Sequence, residues 1–257
     1  PKGVERAAMR AYVSAFRLKA TEAGYLYRGI PKEFGGSEQA PDVIKAQVIR
    51  EEFARAYAPM EVAGNGVNML VPTLLERGTQ KQKDMFIRPT MSGEYVWGQG
   101  YSEPGTGSDL ASVRTRGELV GDKWIINGQK IWTSQGGQAT HMFALIRTEP
   151  DAGKHDGISY LLIDLNQPGI TRSPIRQMTG ESGFYEFFFD NAETPADWIV
   201  GERGEGWNVS RTTLKHERAS IGSAAGLGSQ FDKLVELAKE VQRNGKPAIE
   251  DPLIREA

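Results

Sequence analysis

The apolar pattern of this chain changes period twice, and that limits its fold more than any other feature. Within residues 1–90, Val43, Ile44, Ile49, Phe53 and Ala54 recur at roughly helical spacing with Glu51, Glu52 and Arg55 between them. Asp42 after Pro41 is a helix start signal, Pro59 a stop, and Thr79 opens a further helix over 80–87. The segment Gly29-Ile30-Pro31-Lys32-Glu33-Phe34-Gly35-Gly36 reads as a loop. From 91 to about 200 the grammar is that of strands. Gly121-Asp122 and Asn127-Gly128 separate short apolar runs, and the second is a strong two-residue hairpin signal. Met142–Arg147, Ile158–Leu165 and Phe184–Phe189 are further strands. Short strands divided by turns, without helices between them, argue for an antiparallel barrel or sandwich.

After Gly204-Glu205-Gly206 the helical period returns. Leu214, Ile221 and Ala225 line one face of a segment predicted to reach about Arg243, where Asn244-Gly245-Lys246-Pro247 ends it. The predicted architecture is α+β and multidomain. It has an N-terminal helical domain at 1–95, a middle antiparallel β-barrel or sandwich domain at 96–203, and the start of a C-terminal helical bundle at 204–257.

Composition narrows the chemistry. Hydrophobic residues at 39% and charged residues at 25% describe a folded chain rather than a disordered one. A net charge of -2 leaves no footprint for a nucleic acid backbone. With no cysteine there is no disulfide, thiolate catalysis or iron–sulfur ligation. His141, His155 and His216 lie far apart and lack the spacing of a helical zinc site, so no metal is expected. No apolar run approaches the ~20 residues that span a bilayer. The charged N-terminus lacks a signal peptide's apolar core and an initiator Met, so the numbering is expected to begin inside a longer protein. A reducing, cytoplasmic setting is the expectation.

Two stretches carry chemistry. In Gly100-Tyr101-Ser102-Glu103-Pro104-Gly105-Thr106-Gly107-Ser108-Asp109 the glycines let a backbone approach a ligand, and Ser102 and Ser108 offer hydroxyls. Leu110 breaks the G-x-G-x-x-G spacing and no βαβ unit surrounds it, so a nicotinamide fingerprint is excluded. An ordinary turn between strands is the equal alternative. In Gly128-Gln129-Lys130-Ile131-Trp132-Thr133-Ser134 an aromatic plane stands beside two hydroxyls, which suits a flat heteroaromatic ring; the alternative is a core Trp. Trp97, Trp124, Trp198 and Trp207 are assigned to core packing.

Together, Ser102-Glu103-Pro104, Gly107-Ser108-Asp109 and Asn127-Gly128-Gln129-Lys130-Ile131-Trp132 resemble the signature of the acyl-CoA dehydrogenase family in order and separation. Ile30–Gly36 resembles that family's N-terminal domain. Phe188-Phe189-Asp190 through Pro195, and Val200-Gly201-Glu202 to Gly206-Trp207, resemble the exit from its β-domain. Tyr101, Thr106 and Thr133-Ser134 depart from the commonest pattern and are read as marks of a bacterial branch. The resemblance implies helical, β and four-helix domains, the last largely missing here.

It also implies FAD. By position, Gln99, Tyr101 and Ser102 would contact the flavin ring and Gly107 and Ser108 its pyrophosphate, with Ser108 also near the thioester. Trp132 would flank the ring with Thr133, and Ser134 would sit near N5. Donors there stabilise the charge that reduction creates. The implied reaction is α,β-dehydrogenation of an acyl-CoA: a carboxylate takes the α-proton while hydride leaves the β-carbon for flavin N5. Glu217 is the candidate base, since some members carry it on this helix and others carry it in a later region. Thr213, Ser220 and Ala224 would share its helix face and leave room for a ligand. Arg218 is the expected substrate-side cation, partly buried beside Leu214, Ile221 and Gly222, while His216 is assigned to the helix surface.

Implied partners are an electron-transfer flavoprotein and either identical copies or a related subunit. Two alternatives stay open: a flavin oxidase or monooxygenase on the same fold, and a non-catalytic subunit of a heteromeric dehydrogenase. The Gly-Tyr-Ser-Glu-Pro and Ile-Trp-Thr-Ser branch includes enzymes for bulky acyl groups, steroid side chains among them.

Overall fold

A computed structural model describes residues 2–221 and 225–255. Helices α1 (Lys2–Glu22), α2 (Val43–Arg55), α3 (Val71–Arg77) and α4 (Gln80–Ser92) come first. Asp42 caps α2 by accepting from the Lys45 N–H at 2.9 Å. The helix stops at Arg55, ahead of Pro59, where Tyr57 turns left-handed at φ 51°. Ile49 is buried and Phe53 lies edge-on to Phe16 at 6.0 Å, whereas Val43 and Ile44 are exposed. Thr79 and Gln82 form a reciprocal capping box at the start of α4. The Gln82 amide then donates to the carbonyls of Asp197 and Ile199, at 2.8 and 2.6 Å, tying α4 to the sheet. Helix α4 runs through Pro89, past the predicted end at 87, and closes on Gly93 at φ 81°.

Eight strands follow: β1 (Trp97–Gly100), β2 (Arg116–Val120), β3 (Lys123–Ser134), β4 (His141–Arg147), β5 (Ile158–Asp164), β6 (Ile170–Ile175), β7 (Phe184–Pro195) and β8 (Ile199–Val200). They make one sheet in the order β6-β7-β3-β2-β4-β5-β8, with β1 laid on β4. Most pairs are antiparallel, as expected, but β1–β4 and β2–β4 are parallel. Strands β4 and β5 are almost wholly buried because both faces of the sheet are covered. Phe143, Leu145, Tyr160 and Leu162 pack with Leu70, Leu74 and Phe86 of the helices. Their alternates Met142, Ala144, Ile146 and Leu161 pack with Trp124, Ile126, Phe187 and Phe189. Trp97 and Trp124 are core residues; Trp198 and Trp207 are half-buried.

Gly121, at φ 64°, makes the expected turn between β2 and β3. Asn127-Gly128 does not make a hairpin. It lies inside the 12-residue β3, at a register shift against β7. Gly128 sits at φ 144°, and a Cβ there would stand 2.7 Å from the Thr115 Cα. The glycine therefore serves a bulge and a close backbone approach.

The chain divides into two compact bodies, Pro1–His216 and Glu217–Ala257, with the division inside α5 (Gly206–Ile221). In the second body α6 (Ala225–Glu240) leads into a small hairpin, β9 (Gln242–Arg243) and β10 (Lys246–Pro247), turned by Asn244 and Gly245 at φ 55° and 78°. The predicted single segment to Arg243 is thus described as α5 and α6, the latter ending at Glu240; residues 222–224 lie outside the described residues. Among the described residues no helix is long and apolar enough to cross a membrane.

Candidate functional site

The two stretches singled out by sequence lie side by side. The loop 101–109 leaves the end of β1, and β1 rests on β4 because Gly100 lacks a side chain; a Cβ there would meet the Met142 sulfur at 2.4 Å. Hydrogen bonds then join this segment to β3. The Thr133 hydroxyl donates to the Gln99 carbonyl at 3.1 Å, the Ile131 N–H to the Ser102 carbonyl at 2.9 Å, and the Lys130 ammonium to the Tyr101 carbonyl at 3.3 Å. Gln99, Tyr101 and Ser102 are therefore brought against Trp132, Thr133 and Ser134.

Side-chain directions refine the expected roles. Ser134, Gly107 and Ser108 are exposed and Ser102 and Gln99 half-buried, whereas Thr133 is buried. Beyond Gly105 and Gly107 there is open space, so this part of the loop can be approached by a ligand's phosphates. Trp132 is 55% exposed, with its backbone at φ 63°. A left-handed Trp is unusual, and the register of β3 on β7 shifts between Lys130 and Thr133 to accommodate it. The indole stands out from the sheet, supported edge-on by Phe184 at 6.1 Å. Tyr101 behaves oppositely. It is 5% exposed and its ring points into the core, edge-on to Phe143 and Tyr160. The loop's outer face is offered by its neighbour Ser102, which is half-buried, and not by the Tyr101 ring.

Beneath the loop lies a buried ion pair that sequence reasoning passed over. Lys130 is completely buried and donates to Glu103 Oε1 at 2.8 Å and to the Leu145 carbonyl at 2.7 Å, besides Tyr101. Glu103 also accepts the N–H groups of Arg114 and Thr115 at 2.7 and 2.9 Å. Burial pushes the Glu103 carboxyl up, but Lys130 and the two amides outweigh it and hold the group below its usual range. Burial brings Lys130 down to about 8 against the pull of Glu103. One signal was present: Lys130 alternates in register with apolar core positions of β3.

A chain of buried hydroxyls runs from the helices toward the same loop. Thr213 on α5 donates to the Tyr160 hydroxyl at 3.2 Å and lies 3.0 Å from Thr73 on α3. Burial raises Tyr160 well above its ordinary pKa, and the neighbouring Tyr101 hydroxyl adds to the shift. Thr213 thus serves packing and does not leave room for a ligand, contrary to expectation. A cavity of ≈ 170 Å³ beside Ser134 was also not foreseen; Gly64, Asn65, Gly66, Tyr95 and Trp97 contribute to its wall. Gly66 begins a π-helical turn (Gly66–Leu70) where a Cβ would press on Thr90 and Trp97 at 2.7 Å. The Gly64-Asn65-Gly66 run was the available signal.

Glu217 is half-buried on α5 and belongs to the second body, as does Arg218. Arg218 is exposed, not partly buried, because it continues the outward stripe of Arg211 and Lys215. The Ser220 side chain, the Ile221 side chain, Gly222 and Ala224 lie outside the described residues. His216 is more than a surface residue: its Nε2 meets Glu76 of α3 at 2.7 Å. Among the described residues no cluster of His, Asp and Glu could hold a metal.

Three family models match the chain in series: the acyl-CoA dehydrogenase N-terminal domain over 4–94, its middle domain over 98–192, and its C-terminal domain over 204–257. The chain belongs to the acyl-CoA dehydrogenase family. The acyl-CoA dehydrogenase IpdE1 of Mycobacterium tuberculosis is 43% identical over 244 residues, covering 94% of this chain and 62% of that protein. A structure described as the Tcur3481-Tcur3483 steroid ACAD is 31% identical at a TM-score of 0.77, covering all of this chain and 71% of its own. The ChsE4-ChsE5 complex from Mycobacterium tuberculosis is similarly 31% identical at 0.76, covering 97% and 65%. This chain spans 62% of the length of IpdE1.

Proposed function

We propose that this chain is the flavin-holding part of an FAD-dependent acyl-CoA dehydrogenase that oxidises the Cα–Cβ bond of an acyl thioester. The observation carrying the reading is the junction of the two loops, Ile131 N–H on the Ser102 carbonyl at 2.9 Å. A flat ring with an anionic tail fits the residues there. Gly105 and Gly107 leave the loop open, the Trp132 indole is exposed, and among the described residues none accepts from the Ser102 N–H. When bound, FAD supplies the hydride acceptor.

In this reading Gln99, Ser102 and Ser134 face the ring, Tyr101 packs behind the loop, Trp132 flanks the ring, Thr133 fixes the edge of β3, and Gly107 and Ser108 face the phosphates or the thioester. Glu217 removes the α-proton, and Arg218 serves the acyl-CoA from the exposed helix face. The domain limits at 95/96 and 203/204 follow the same reading. The names of the relatives favour a steroid-derived acyl group and a related subunit as partner. In the same reading the electrons pass to an electron-transfer flavoprotein.

The test is anaerobic mixing of the full-length protein with a panel of acyl-CoA thioesters. Bleaching of the flavin's visible band, with reoxidation faster by an electron-transfer flavoprotein than by oxygen, is the expected result. Rapid peroxide release would instead favour an oxidase. Glu217→Gln is expected to keep the flavin spectrum and lose at least ~10²-fold in bleaching rate; unchanged turnover would move the base elsewhere or make this the non-catalytic subunit.

A further inference from the structure

A trans peptide points its C=O and N–H in opposite directions. In the peptide joining Tyr101 to Ser102, the carbonyl is turned inward onto the Lys130 ammonium at 3.3 Å. The Ser102 N–H must therefore point outward, where no described residue accepts from it. The next carbonyl, that of Ser102, is held by Ile131 N–H, and Glu103 and Thr106 close the loop by exchanging N–H···O bonds of 2.9 Å in both directions. Lys130 reaches this place because Glu103 and the Leu145 carbonyl complete its shell at 2.8 and 2.7 Å.

We infer that Lys130 is the positioning residue of the flavin loop, turning the Tyr101 carbonyl inward so that the Ser102 N–H and hydroxyl are presented to the electron-rich edge of the ring. The inference rests on the flavin reading above. Lys130 is completely buried behind the loop, so it acts through the peptide and does not touch the ligand. Its positive charge polarises that peptide, making the Ser102 N–H a stronger donor, and a reduced ring, carrying more negative charge, gains more from it than an oxidised one.

A purely structural pair makes a different prediction, because replacing a buried ion pair by neutral side chains of similar volume is often neutral for stability. Lys130→Met and the double variant Lys130→Met/Glu103→Gln, the latter leaving no unpaired buried charge, are compared with wild type in the full-length protein. Melting of the apoprotein, FAD affinity and the flavin midpoint potential are measured. The double variant is expected to melt within about 4 °C of wild type, to bind FAD about tenfold more weakly, and to show a more negative potential, since reduced flavin loses more affinity than oxidised. Unchanged FAD affinity and potential in a folded double variant would overturn the inference while leaving the flavin reading intact. A wild-type protein that binds no flavin would overturn both.

Discussion

Lys130 and Glu103 show how far single residues can depart from their type. Lysine is rarely buried, and only its three acceptors make this position tenable. The pair gives stability a defined pH dependence. The folded-state pKa of Glu103 is depressed, so its contribution is present above the unfolded value of 4.5 and is lost as the pH falls through the lower folded value. Urea titrations below pH 4.5 should therefore show a shallower acid loss in Glu103→Gln than in wild type. Lys130 behaves differently. Between about 8 and 10.5 the unfolded chain keeps a proton that the folded chain has released, so stability rises with pH across that window. Lys130→Met should lack that rise in the same titrations. Residue type and spacing single out Ser102 and Trp132, but not the inward turn of the Tyr101 ring, since an aromatic in a loop reads equally well pointing either way. Arg218 was misplaced for the opposite reason: its apolar sequence neighbours suggested burial, while the helix period sets it on the outward stripe with Arg211 and Lys215.

Among the elements, helix starts were read well because caps are local. Asp42 and Thr79 act through residues three positions away, and both caps form as expected. Strand β3 was misread at its centre. Asn-Gly is the strongest short-range hairpin signal, yet the β2–β3 hairpin already pairs Asn127 with Arg116, and long-range pairing of β3 with β7 carries the strand onward and uses Gly128 as a bulge. Gly128→Ala should destabilise the protein by about 2–4 kcal/mol, from the positive φ and the 2.7 Å approach to Thr115. Equilibrium urea unfolding measures it; a loss under half a kcal/mol would show that Thr115 can yield. The second shift, between Lys130 and Thr133, lifts Trp132 out of the sheet. A flat, regular strand of the same sequence would bury or misdirect the indole.

Across the first body, the Thr73–Thr213–Tyr160 hydroxyls bind α3, α5 and β5 in one buried network, with Tyr101 beside it. No single segment contains the chain, so it was invisible to any local pattern. Thr213→Val keeps the shape of the side chain but leaves the hydroxyls of Thr73 and Tyr160 without their shared partner. It should cost about 1–3 kcal/mol in urea unfolding, with loosening of α5 visible as faster amide exchange. The parallel placement of β1 on β4 belongs to this scale too. It brings the loop 101–109 to the edge of β3, although 22 residues of chain, 101–122, separate β1 from β3.

The sequence by itself determined the order of helices, strands and helices, the helix caps, and the two loops that meet at the candidate site. These rest on local propensity and period, or on a residue pattern distinctive enough to mark its family. Tertiary structure alone decided which side of the loop Tyr101 faces, that a lysine lies buried beneath it, and that Asn127-Gly128 bends a strand instead of reversing it. Those outcomes depend on hydrogen-bond partners and packing neighbours supplied by distant segments, and no short window of residues contains them.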